Sequence, residues 1–198
     1  MRIGVIAIQG NVDEHVHAMK QALKLANQEA QVVRIKHKGI VPLCDALILP
    51  GGESTTFSRL MEKEGISSEI KNAVISGIPI MGTCAGLVLL AKHGDKQVEK
   101  TKQSLLELMD IHIRRNAFGR QRESFEALIE FKGLTSPFNA VFIRAPVIEK
   151  CGKGVEILSR HHGFIVAAKQ GHMLALAFHP ELTQDYRIHH YFLKMAKV

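Results

Sequence analysis

The chain has 198 residues, 46% hydrophobic and 23% charged, and its 26 Lys and Arg outweigh 19 Asp and Glu for a formal net charge of +7. A chain of this length buries roughly 70% of the surface that its unfolded form exposes, so it needs no disulfide or structural metal to hold a core, and its composition excludes intrinsic disorder. The positive excess raises nucleic acid, a membrane surface or an acidic protein as partners, but the basic residues are scattered, aromatics make up 6% and Trp is absent, which argues against nucleic acid.

The chain reads as one domain over residues 1–198, with no internal repeat, low-complexity tract or linker. Its first apolar run, Arg2 to Ile8, ends at Gln9-Gly10 and suits a strand buried on both faces of a parallel sheet. The run is too short for a signal peptide, so a cytoplasmic protein is expected. Val12, Val16, Met19, Leu23 and Ala26 then recur at helical spacing, with Asn11 placed as an N-cap. Strands follow at Gln31 to Lys36 and Asp45 to Leu49, the second stopping at Pro50-Gly51-Gly52. Helical segments fill Thr56 to Gly77, Ile78 to Gly82 is a short strand, and Ala85 to Lys92 a helix. The longest uncharged stretch, Asn72 to Ala91, is broken by Gly77, Pro79, Gly82 and Gly86, so it is no membrane span.

Alternating strands and helices imply βαβ units and a parallel sheet with right-handed crossovers. From Ile111 onward, short β-like runs follow one another instead: Ile111 to Arg114, Phe125 to Phe131, Ala140 to Arg144, Val155 to Ser159, Phe164 to Lys169 and Met173 to Phe178. This half adds mixed or antiparallel strands, and a last helix runs from about Thr183 to Lys197. Open α/β sheets bind ligands outside the carboxyl ends of their strands. The glycine-marked exits at Ile8-Gln9-Gly10, Leu49-Pro50-Gly51-Gly52 and Met81-Gly82-Thr83-Cys84 are therefore the informative places.

Gly82-Thr83-Cys84-Ala85-Gly86 is a G-x-C-x-G turn between strand and helix, the thiol version of a nucleophile elbow. At a helix amino terminus the dipole favours thiolate; the alternative is a small buried residue in a tight turn. Cys44 and Cys151 lack this context, and three cysteines with no C-x-x-C pair fit reduced thiols. A thiolate nucleophile needs a base, and the base an orienting group. His179-Pro180-Glu181 offers both, because residues i and i+2 of an extended chain face the same way. Most of the other ten histidines read as surface residues. His161-His162 and His189-His190 are adjacent pairs whose side chains diverge, and His15 and His17 are poorly spaced for ligation, so no metal site is expected. Backbone N–H groups at Pro50-Gly51-Gly52-Glu53-Ser54 are unshielded enough to form an oxyanion hole.

Together these strings resemble the Cys-His-Glu class I glutamine amidotransferases. Ile8-Gln9-Gly10 with Glu14-His15, Leu49 to Thr56, Arg115 to Gln121, Phe142 to Pro146, Val166 to Gln170 and Phe178 to Thr183 look like the glutaminase subunits of pyridoxal 5'-phosphate synthases. The resemblance implies a three-layer α/β fold, with a central mostly parallel sheet, added antiparallel strands and flanking helices. It implies hydrolysis of L-glutamine to L-glutamate, with ammonia passed to a separate synthase (lyase) subunit in a large hetero-oligomer, and no cofactor, nucleic acid or membrane. Carried over by position, Cys84 is the nucleophile, His179 the base and acid, and Glu181 the orienting carboxylate. Gly52, Glu53, Ser54, Arg115, Ile143 and Arg144 match glutamine-contact segments, Gly52 and Ala85 hold the oxyanion, and Gln9, Asn11 and the following helix face the partner. The Lys- and Gln-rich segment His93 to Glu107 matches no family string and is a further candidate for the partner surface. Two alternatives stay open: the glutaminase subunit of imidazole glycerol phosphate synthase, and a non-catalytic cysteine sensor of the DJ-1 type.

Overall fold

In the computed structural model, which describes residues 1–118 and 124–196, the apolar runs ending at Ile6, Leu49 and Thr83 become buried parallel strands. Strand β1 (Arg2–Ile6) leads into helix α1 (Val12–Leu25), then β2 (Gln31–Ile35) and β3 (Ala46–Leu49). Helices α2 (Ser54–Lys63) and α3 (Ile66–Ile75) precede β4 (Ile80–Thr83), and α4 (Ala85–Leu90) follows it. Every side chain of β3 and β4 is buried, which is why these runs carry no polar alternation.

The expected helix over Ala85 to Lys92 ends two residues early. Ala91 turns extended and starts β5 (Ala91–His93), which pairs with β6 (Met109–Arg114), so tertiary pairing overrides local propensity. Between them the unmatched segment forms α5 (Lys96–Thr101), capped by Asp95, whose Oδ1 accepts from the Gln97 and Val98 N–H groups. The second half adds β7 (Ser124–Ile129), β8 (Phe138–Ile143), β9 (Val147–Cys151), β10 (Glu156–His161), β11 (Phe164–Gln170) and β12 (Met173–Leu176). Of these, β9 has no counterpart among the expected strands. A 3₁₀ turn, Pro180–Leu182, then leads to α6 (Arg187–Met195), so the last helix starts later than expected, and Lys197 lies outside the described residues.

Among the described residues, the main sheet runs β2-β1-β3-β4-β12-β11-β9-β6-β5, with β10 on β11, while β7 and β8 form a separate antiparallel pair. The pairings β2-β1, β1-β3, β3-β4, β4-β12 and β5-β6 are parallel; those of β11 with β12, β9 and β10, and of β6 with β9, are antiparallel. The expected mostly parallel first half and mixed second half are therefore both present. No described helix is long and apolar enough to cross a membrane.

Register decides which residues meet. Val5 pairs with Ile48, Leu49 with Gly82, and Thr83 with Leu176, so β1, β3, β4 and β12 end side by side. Their exits bring Gly10, Gly51, Cys84 and His179 to one edge, the place where open α/β sheets bind ligands.

Candidate active site

Cys84 stands at the turn from β4 into α4 with φ +48 and ψ −101, a strained conformation for a side-chain-bearing residue that costs on the order of 1–3 kcal/mol. The glycines on either side explain how the turn closes. A Cβ on Gly82 would lie 2.6 Å from the Gly86 carbonyl carbon, and one on Gly86 would lie 2.2 Å from Leu49 O. Helix α4 thus packs directly on the strands, and the surrounding structure holds the nucleophile in its turn. The Cys84 N–H donates to Leu176 O at 2.8 Å, tying the turn to β12 just before the histidine.

His179 Nδ1 lies 2.7 Å from Glu181 Oε1, and both side chains are almost fully buried, as the i, i+2 geometry anticipates. Burial opposes a charged ring here. Hydrogen bonding to Cys84 and Glu181, with their charges, outweighs it and pushes His179 up to about 10. For Glu181 burial again works against the charge, but the His15 and His179 rings hold the carboxyl down to about 2. The line Cys84, His179, Glu181 therefore keeps a proton on the imidazole beside the sulfur at neutral pH. Cys44 and Cys151 differ: burial pushes both thiols up, away from nucleophilic use.

Asn11 stands at the N-cap position of α1, as expected, but its side chain makes no capping bond. Its Nδ2 instead donates to Glu181 Oε1 at 3.2 Å and lies 3.4 Å from His179 Nδ1, so it supports the triad from the first helix. The neighbouring backbone grips the Pro50 turn. The Asn11 N–H donates to Gly51 O at 3.1 Å, and Gln9 Oε1 accepts from the Glu53 N–H at 3.1 Å. Gln9 and Asn11, expected to face a partner, thus each also direct one side-chain polar atom at the site. A trans peptide points its C=O and N–H in opposite directions, so with Gly51 O turned to Asn11 the Gly52 N–H faces the other way, on the side free of Asn11. Gly52 and Ala85, the expected oxyanion donors, both line the cavity beside Cys84.

That cavity holds about 500 Å³. Gly52, Glu53, Ser54, Arg115, Ile143 and Arg144 all line it, so every expected glutamine-contact residue reaches the same space as Cys84 and His179. The Glu53 side chain is nonetheless committed elsewhere: its carboxylate caps α2, accepting from Thr55 and Thr56 N–H at 3.0 and 2.7 Å, and these bonds bring it down to about 2 against its desolvation. Ile143 O lies 3.9 Å from Cys84 Sγ. Arg115 Nη1 donates to Ser54 Oγ, Thr55 Oγ1 and Gln103 Oε1 at 3.2, 3.2 and 3.0 Å. Asp95 Oδ2 accepts from the Arg115 N–H at 2.8 Å.

Asp95, Gln97, Thr101 and Gln103 all come from the segment His93 to Glu107. Gln97 and Thr101 line the cavity, while Asp95 and Gln103 hold Arg115. Part of this segment is thus a wall of the site, a role that its Lys- and Gln-rich composition does not signal. Cys84, Asn116 and Arg144, three non-glycine residues with positive φ, all face this cavity, so backbone strain concentrates there. Gly119, Arg120 and Gln121, which end the Arg115 string, lie outside the described residues. Among the described residues, no three His, Cys, Asp or Glu side chains are grouped to hold a metal ion.

Comparison with known proteins fits this arrangement. The model of the SNO glutamine amidotransferase family matches residues 5–198. "Pyridoxal 5'-phosphate synthase subunit PdxT" of Methanosarcina mazei is 64% identical over 193 residues, covering 98% of this chain and 97% of that protein. The protein of the same name from Archaeoglobus fulgidus is 53% identical over 197 residues, covering 100% and 99%. A solved structure described as a glutamine amidotransferase superposes with a TM-score of 0.87 at 45% identity, covering 99% of each chain. A glutamine amidotransferase from Thermotoga maritima, 13% identical with a TM-score of 0.63 over 100% and 90% of the chains, shares the fold.

Proposed function

This chain belongs to the SNO glutamine amidotransferase family, and from that premise we propose that it is the glutaminase subunit of a pyridoxal 5'-phosphate synthase, hydrolysing L-glutamine to L-glutamate and handing the ammonia to a separate synthase subunit. The observation that carries the reading is the line from Cys84 to the buried His179 and Glu181 at the wall of a cavity that is also lined by Gly52 and Arg115.

Cys84 Sγ attacks the side-chain amide carbon of glutamine as a thiolate. A C–S bond forms and the carbonyl electron pair moves to oxygen, where the Gly52 and Ala85 N–H groups stabilise it. The His179 imidazolium then gives its proton to the amide nitrogen; the C–N bond breaks, ammonia leaves, and a γ-glutamyl thioester remains. Neutral His179 next takes a proton from water as its oxygen adds to the thioester. The C–S bond breaks, glutamate departs, and thiolate and imidazolium are restored. Glu181 keeps the ring aligned and balances its charge throughout. Arg115 presents a guanidinium, fixed by Ser54, Thr55 and Gln103, that suits the substrate α-carboxylate.

A cysteine sensor leaves a paired His179, Glu181 and Asn11 with no task, and identities of 53 to 64% are to relatives named as pyridoxal 5'-phosphate synthase subunits; no specific observation favours either alternative. The test is glutamate release from glutamine by the purified chain with and without a pyridoxal 5'-phosphate synthase lyase subunit. The expected outcome is little release from the chain alone and marked release once the lyase is present, together with pyridoxal 5'-phosphate made from glutamine. Cys84→Ala removes the release while the fold and partner binding persist; substantial turnover in that variant refutes the assignment.

A further inference from the structure

Behind the triad, helices α1 and α6 bury two histidines that the chemistry above does not use. His15 and His189 are both fully buried, although their sequence contexts suggested surface residues. His15 Nε2 lies 3.0 Å from Thr83 Oγ1 and 3.3 Å from Glu181 Oε2, and His15 Nδ1 lies 3.4 Å from His189 Nε2. Glu181 Oε1 is taken by His179 and Asn11. Oε2 has no hydrogen-bond partner among the described residues, and His15 Nε2 is the polar atom that approaches it.

The network fixes the tautomers. A lone pair on His15 Nε2 would face the carboxylate at 3.3 Å, which is repulsive, so Nε2 carries the hydrogen, with Thr83 Oγ1 at 3.0 Å as its nearer acceptor. His15 Nδ1 is then an acceptor, and His189 Nε2–H is its donor. That leaves His189 Nδ1, which has no partner among the described residues, as a bare acceptor, cheaper to bury than an orphaned N–H. Burial holds both rings neutral: it lowers His15 against the pull of Glu181 and Glu14 and with the help of His179, and takes His189 down to about 3 with the help of His15 and against Glu181. A leucine at either place would fill the core without the cost of burying an imidazole.

We propose that His15 is a positioning residue of the glutaminase: His189 holds it in the Nε2–H tautomer, and it fixes Glu181 by its second oxygen, so that the first stays aligned on His179. The inference rests on the glutaminase reading and extends the support of the triad from three side chains to a buried line of five.

The experiment uses the chain in complex with its synthase partner. His15→Leu should lose about a hundredfold in kcat for glutamine hydrolysis, the scale of a small misalignment at a catalytic group, with KM unchanged. His15→Gln, whose amide nitrogen reaches the place of Nε2, should recover most of that loss. Equal activity of the leucine variant and the unmodified chain, or equal impairment of the leucine and glutamine variants, overturns the proposal. Histidine-selective ¹⁵N spectra of the unmodified protein read the ring tautomers without any variant having to fold. A neutral Nε2–H form for His15 at neutral pH is expected, and an Nδ1–H form or an imidazolium overturns the proposal. An unmodified complex that hydrolyses no glutamine counts against the glutaminase reading instead, and the ring spectra still decide the tautomer.

Discussion

Replacing Gly10 by alanine tests whether the β1 exit sets the oxyanion peptide. Gly10 has φ +96, and a Cβ built there lies 1.8 Å from Gly51 O, where real Cβ atoms essentially never come within 3.0 Å. The carbonyl must retreat by more than an ångström, breaking its bond from the Asn11 N–H. Because Gly51 O and Gly52 N–H belong to one planar peptide, swinging the oxygen swings the oxyanion donor with it. Loss of one such donor costs roughly 10²–10³ in kcat, about 2.7–4 kcal/mol of transition-state stabilisation. KM for glutamine should change little, since the donor serves an oxygen that becomes negative only during reaction. Stability falls as well, by about 1–2 kcal/mol for a left-handed alanine, or several degrees in Tm for a chain of this size at roughly 2–4 °C per kcal/mol. Steady-state glutamate release in the synthase complex, with thermal unfolding as the fold control, reads both effects. A folded Gly10→Ala variant with kcat within a few-fold of the parent, or one whose loss appears in KM alone, refutes the reasoning.

His179 also predicts a pH dependence of stability. Its ordinary value of 6.5 rises to about 10 on folding, so its contribution is complete below 6.5 and is lost as pH climbs through 10. The unfolding midpoint should decline across that window, and Glu181→Gln, which removes part of the cause, should flatten the decline; identical slopes in parent and variant contradict it. Arg115 Nη1 alone meets Ser54, Thr55 and Gln103, which leaves the rest of the planar guanidinium for a carboxylate, whereas in Arg115→Lys one ammonium must serve both, so KM for glutamine should rise about tenfold, a loss of about 1.4 kcal/mol, with kcat less affected. Glu53→Gln should cost about 1 kcal/mol of stability through the weakened α2 cap, seen in thermal unfolding, and leave kcat/KM nearly unchanged; a large rise in KM would mean that the carboxylate leaves the cap to meet substrate.

The strands that carry the site were legible because their burial on both faces writes itself as continuous apolar runs, and the turns because glycine alone permits their contacts. Gly82 and Gly86 are of that kind, as is His179-Pro180-Glu181, whose pairing is local in the chain. What the sequence hid depends on distant partners. Asn11 sits where a helix cap belongs, yet its amide finds the Glu181 carboxylate 170 positions away. Glu53 sits in a glutamine-contact string, yet two N–H groups one turn ahead claim its carboxylate. Lys96–Thr101 reads as a solvated charged stretch, and only the meeting of β5 with β6 swings it over the cavity. Helical spacing sets His15 with Val12, Met19 and Ala22 and His189 with Phe192 and Leu193, which marks both for burial, but nothing local in the chain says that they meet behind Glu181.

The contacts of Asn11 and His15 share one origin. Gln9, Gly10 and Asn11 hold the peptides around Gly51 and Gly52, and Asn11 and His15, four residues apart and so on one face of α1, hold Glu181. The exit of β1 and the first turn of α1 therefore support both halves of the chemistry, the oxyanion side and the acid–base side. Asp13, Glu14 and His17 of the same turns are exposed, so the outer face of α1 is open to a partner while its inner face is engaged with the triad. A partner that presses on that outer face need not touch the cavity to change the reaction. A small displacement of α1 would shift Asn11 and His15 together, and with them the groups they contact, the Gly51 carbonyl and the Glu181 carboxylate. The activation by a synthase subunit proposed above would then have a mechanical route through side chains already on the inner face. It should be lost together with catalysis, rather than separately from it, when Asn11 is replaced by alanine, as titration of glutamate release against added synthase subunit would reveal.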